Sequence, residues 1–116
     1  MDKLTEYKQI APKIVEEVAG LSPMIENGVE NQLITDDEHG HYLYFGVGWT
    51  KINSGWTYAS FIHIDVKPDG KVWLQHDGTD LRIAEKLQKY GIPKSDIVIG
   101  FQAPAVRPYL EGYAVA

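Results

Sequence analysis

The sequence predicts an α+β domain: an antiparallel sheet of four to six strands, an N-terminal helix and a second helix after strand four. Three observations predict it. Apolar residues near the N-terminus recur at three- and four-residue steps, and the period changes to two from His41 onward. Between two alternating runs, Lys67-Pro68-Asp69-Gly70 has the order suited to a type I turn closed by a left-handed glycine.

The first helix follows from Leu4, Tyr7, Ile10, Ala11, Ile14, Val15 and Val18, with Lys3, Glu6, Lys8, Lys13, Glu16 and Glu17 on the wet side. Pro12 removes one backbone donor, so a kink or break is expected there, and Gly20 is the expected stop. Pro23, Asn27 and Gly28 read as loop. A first strand is expected at 29–35, followed by turn chemistry at 36–40. In the second strand Leu43, Phe45, Val47 and Trp49 face one way, and Tyr42, Tyr44, Gly46 and Gly48 the other. The two glycines predict close approach of a bulky group or another backbone.

The third and fourth strands are expected at 56–66 and 71–76. Thr79 is the expected cap of a second helix, 80–90, with Ile83, Ala84 and Leu87 buried and Glu85 pairing Lys89. Gly91 stops it, and Ile92 folds back onto Leu87 in a Schellman ending. Residues 97–101 read as a further short strand, and the uncharged tail 112–116 reads as docked.

Composition narrows the function. The chain has 116 residues, a single domain's length, with 44% hydrophobic and 23% charged residues, as in ordinary globular proteins. It contains no cysteine, which excludes disulfides, zinc–thiolate sites and thiol nucleophiles. The net charge is −5. Residues 1–40 hold three Lys against nine acids, net −6, and residues 41–116 eight Lys/Arg against seven acids, net +1. With no clustered positive field, strong direct nucleic-acid binding is not expected. The first residues lead into no apolar run and no stretch has the length of a membrane span, so the expected location is cytoplasmic.

The hairpin register predicts which side chains share a face. Val66 should oppose Val72, and Ile64 should oppose Leu74, on the core side. On the other side Asp65 should oppose Trp73, His63 should oppose Gln75, and Phe61 should oppose Asp77. His63, Asp65, Trp73, Gln75 and Asp77 are therefore the candidate partner- or ligand-binding face, the plainer reading being a wetted sheet surface. His63-x-Asp65 has the same-side spacing of a ligand pair. His76 should face away unless the strand bulges, and His39-Gly40-His41 sits at a turn, so no metal or cofactor is expected. Asp65-Val66-Lys67 matches half of a two-metal nuclease site whose other half is missing. No nucleophile motif or phosphate loop is present, and an enzyme is not expected. Arg107 and Tyr113 are candidate anchors of the C-terminus, Arg107 with Asp96 as one partner, or with another protein.

Specific blocks carry a resemblance. They are His63-Ile64-Asp65-Val66-Lys67, then Gly70-Lys71-Val72-Trp73-Leu74-Gln75-His76-Asp77-Gly78-Thr79-Asp80, then residues 92–101, Arg107, Tyr109 and residues 112–116. Met1-Asp2-Lys3-Leu4 with Tyr7 and Ile10, and Val47-Gly48-Trp49, extend them over nearly the whole chain. These blocks resemble the XisI family, the cyanobacterial fdxN element excision controlling factors. Gln102-Ala103 stands where the family pattern has His-Pro, and Pro12 is a second departure. The resemblance implies an accessory role beside a XisH-like protein, letting a XisF-like site-specific recombinase excise a DNA element during heterocyst development. It implies no catalytic residues. Two other expectations stay open: an inhibitor or immunity partner of a nuclease-like protein, with the acidic first third imitating nucleic acid, or a small-ligand domain using the 63/65/73/75 face. An aromatic-rich sheet and an uncharged C-terminus are also compatible with a homo-oligomer.

Overall fold

The computed structural model describes residues 2–115. Met1 and Ala116, which close the family-like blocks at either end, lie outside the described residues. Helix α1 (Lys3–Ala19) is followed by strands β1 (Ile25–Glu26), β2 (Val29–Asp36), β3 (His41–Trp49), β4 (Trp56–Val66) and β5 (Val72–Asp77). Helix α2 (Ile83–Lys89) and strand β6 (Ile97–Ile99) complete the regular elements. The six strands form one sheet in chain order. The first four pairings are antiparallel and β5–β6 is parallel, because the α2 crossover returns the chain to the end at which β5 began. No helix among the described residues is long and apolar enough to cross a membrane.

Both helices cover one face of the sheet. Tyr7, Ile10, Ala11, Ile14, Val15 and Val18 of α1 are buried there against Tyr42, Tyr44, Ile62, Ile64, Val66, Val72 and Leu74. Burying each large aliphatic side chain stabilises the fold by about 1.5–3 kcal/mol, so this stripe holds α1 in place. Asp2 begins the helix by accepting a 2.8 Å hydrogen bond from the Thr5 amide. Gly20 ends it.

A break at Pro12 does not occur: α1 runs 17 residues through it. Pro12 leaves the Lys8 carbonyl without its usual helical donor. The Tyr42 hydroxyl lies 3.4 Å from that oxygen, while its shorter contact, 2.9 Å, is to Asp37. A polar group of the sheet thus stands where the helix has a gap.

The 67–70 turn forms as expected. Lys67 N donates to Lys71 O, Gly70 N to Lys67 O, and Gly70 has φ +85°. The Schellman ending forms too: Ile92 N donates to Leu87 O and Gly91 N to Gln88 O. The bare face of β3 accepts its neighbours closely. A β-carbon on Gly46 would stand 2.9 Å from the Phe61 ring, and one on Gly48 2.5 Å from the Gly28 carbonyl oxygen.

Three expectations change. Residues 25–26 are not loop but strand β1, which pairs with residues 29–30 in a hairpin over Asn27-Gly28, both with positive φ, at the sheet edge. Helix α2 starts at Ile83, not at 80. Thr79 spends its hydroxyl on Asp77 and accepts from Leu81 N, a local turn that competes with helix, and Asp77 accepts from Ile83 N at the true start. Glu85 pairs with Arg82 at 3.7 Å rather than with Lys89.

One buried carboxylate ties the N-terminus to the start of β6. Asp96 accepts from the Tyr7 hydroxyl at 2.6 Å, with Lys3 and Lys71 at 3.3 and 3.7 Å. Burial alone would raise the Asp96 carboxyl, but the Tyr7 hydrogen bond and the Lys3 ammonium outweigh it and hold it below the usual range. A lowered folded-state pKa means this stabilisation is complete above the unfolded carboxylate range and lost as pH falls through the folded value. Asp96→Asn is expected to cost about 1.5–3 kcal/mol at neutral pH. Urea melts should show that deficit shrinking in acid.

Candidate functional site

In an antiparallel pair, facing residues project to the same side. The face turned away from both helices therefore collects Ile34 of β2, His41, Leu43, Phe45, Val47 and Trp49 of β3, and Trp56, Tyr58, Ser60, His63 and Asp65 of β4. Trp73 of β5 joins them opposite Asp65. This open face has an apolar half and a polar half.

The apolar half is aromatic. Phe45 meets Tyr58 edge-on at 4.7 Å between ring centroids, and Trp49 meets Trp56 at 5.4 Å. The outer members remain in solvent: Trp49 is 64% exposed, Trp56 55% and Tyr58 70%. Together they form an exposed apolar patch, a feature that interaction surfaces often carry. The alternation of β3 placed Leu43, Phe45, Val47 and Trp49 together in the sequence reading; Trp56 and Tyr58 were not singled out there. Their signal was the period-two run 56–60, whose side becomes legible only with the β3–β4 register.

The polar half centres on Asp65, 5% exposed. His41 Nδ1 and His63 Nε2 lie 2.7 and 2.8 Å from its Oδ1, and Gln75 Nε2 donates to Oδ2 at 3.1 Å. Burial alone would raise this carboxyl; the hydrogen bonds from His63, His41 and Gln75 overcome it and hold it well below the usual carboxylate range. Among the described residues, His41, His63 and Asp65 are the group of three whose metal-ligating atoms all lie within 4.8 Å of one another.

The sequence-predicted residues divide. His63, Asp65 and Gln75 come together, and Asp65 opposes Trp73 as expected. Two bulges alter the rest. Ile64 pairs Leu74 but His63 pairs His76, so Gln75 is the extra residue in β5. Asp77 consequently opposes Ile62 on the helix side, where its carboxylate accepts from Thr79 and Ile83. It does not belong to the open face. A second bulge makes Phe61 the extra residue in β4 and turns its ring onto Tyr44, 5.4 Å away, against the core. His76 is exposed, with its ring beside Gly78.

Trp73 is half-buried under the chain's own C-terminal segment. The Arg107 guanidinium lies 5.0 Å from its ring centroid and donates to the carbonyls of Gln102 and Gly100, each at 3.0 Å. Asp96, a partner considered for Arg107, is held by Lys3 and Tyr7 instead. Tyr113 accepts from Gln88 at 3.2 Å, and Ala114 N donates to Ile97 O, which docks the tail. Arg107→Ala should remove two charge-assisted hydrogen bonds and a cation–π contact, an expected loss of about 1–3 kcal/mol. Hydrogen exchange should report faster opening around residues 100–110 in that variant.

The model of the XisI family (XisI protein) matches residues 1–115. The chain belongs to the XisI family. No curated protein matches it. Two solved structures from Anabaena variabilis ATCC 29413 share its fold. A XisI-like protein is 42% identical, with a TM-score of 0.86 over 97% of this chain and 99% of that one. The fdxN element excision controlling factor XisI is 30% identical, with a TM-score of 0.85 over 99% of this chain and 100% of that one. The helix-covered sheet described above is thus the fold this chain shares with them.

Proposed function

We propose that this XisI-family chain is a non-catalytic controlling factor of DNA excision, acting in the cytoplasm by binding a XisH-like protein. Through that partner it would influence a XisF-like site-specific recombinase. Family membership and the excision-controlling relative support the process; the open aromatic face, carrying Trp49, Trp56 and Tyr58, supports contact as the means. That face is the observation on which the reading rests. Aromatic side chains with few rotatable bonds are the commonest anchors of protein interfaces. The charge distribution fits the same reading, because net −6 over residues 1–40 repels phosphate and leaves DNA contact to the partner.

The experiment is co-purification of a tagged copy with a co-expressed XisH-like protein, together with a mobility shift of the isolated chain on DNA at low salt. A complex with the protein and no tight shift with DNA is expected. Tight, salt-sensitive DNA binding by the chain alone would overturn the reading.

A further inference from the structure

We propose that His41 Nδ1, His63 Nε2 and Asp65 Oδ1 form a three-ligand site for a borderline divalent transition ion of the zinc class. The three donors come from two adjacent strands. His41 faces Asp65 directly across the β3–β4 ladder, and His63 lies two residues along β4, so the pleat aims all three at one point on the open face. Their positions depend on the sheet and not on a loop.

The geometry needs little adjustment. Metal–ligand bonds of ~2.0 Å in a tetrahedral site place ligand atoms about 3.3 Å apart. The two nitrogens already stand 2.7 and 2.8 Å from Oδ1, so the imidazoles need withdraw by roughly half an ångström to reach that spacing. Each neutral imidazole then carries its proton on the ring nitrogen remote from the ion. Two imidazoles and a carboxylate suit zinc, cobalt and nickel, whereas calcium and magnesium require mainly oxygen.

Two further features favour an ion. Gln75 donates to Oδ2 of Asp65 and leaves Oδ1 toward the imidazoles, a hydrogen bond of the kind that orients a ligating carboxylate. Asp65 is a buried carboxylate, and a divalent ion would neutralise its charge. The His41 side chain is 47% exposed, which leaves a route for the ion and an open position for water or a partner's side chain. His39 stacks 6.5 Å from His41 but is held by Asp36, and serves as the control.

The test is titration of tag-free, chelator-treated protein with Co²⁺, followed by displacement with Zn²⁺. One equivalent should bind with the visible bands of a four-coordinate ion, and Mg²⁺ or Ca²⁺ should not displace it. His41→Ala and His63→Ala should each weaken binding at least about tenfold, and His39→Ala should leave it unchanged. If His63→Ala fails to fold, His41→Ala, at the half-exposed start of β3, carries the comparison. Binding that is absent, unsaturated beyond one equivalent, or unchanged in His41→Ala overturns the site. The protein–partner reading does not depend on this result.

Discussion

Ile64→Ala is expected to destabilise the protein by about 2–5 kcal/mol, because it removes a side chain with no exposed surface from the centre of the helix-covered face. The neighbours around Ile64, among them Ile62, Val66, Val72 and Leu74, are themselves buried and come largely from the sheet, which limits collapse into the cavity. For a domain of this size each kcal/mol lowers the melting temperature by roughly 4–8 °C. A thermal melt that moves by only a degree or two would show that Ile64 does not pack as described.

The second large effect belongs to the opposite face of the same strand. Trp56→Ala should leave the melting temperature close to that of the wild type, because the indole is 55% exposed and its principal contact is the equally exposed Trp49. Its expected cost falls on the complex with the XisH-like protein: at least ~2 kcal/mol, about thirtyfold in affinity. Calorimetric titration of the variant measures the loss directly. A variant that melts normally and binds as tightly as the wild type would remove the aromatic half from the interface. The two substitutions together separate the structural face of β4 from the contact face.

Much of this arrangement is legible in the sequence where local chemistry decides it. The buried stripe of α1, the Pro68-Asp69-Gly70 turn and the Gly91 helix ending each rest on residues within one or two turns of each other, and each forms as read. The near half of the hairpin register is also correct, from Val66–Val72 to Ile64–Leu74. Farther from the turn the register fails, because a bulge adds Gln75 and no residue there announces an extra position. Asp77 changes face for that reason, and Phe61 does so through the second bulge, in β4. The Asn27-Gly28 hairpin was a local signal that the loop reading passed over.

The polar cluster was half legible. His63 and Asp65 declare their shared side by spacing alone. His41 does not, since its place opposite Asp65 follows from a ladder that spans a loop and a bulge at Tyr44/Phe45. Pro12 illustrates the opposite limit: local chemistry allows for a break, and α1 continues through it with its apolar stripe packed on the sheet.

The most direct test of the account is light scattering coupled to size exclusion, on the chain alone and mixed in equal amounts with a XisH-like protein at micromolar concentration. The account predicts a single new species containing both proteins. Two unshifted peaks, or a homo-oligomer of this chain that leaves the XisH-like protein unbound, would contradict it.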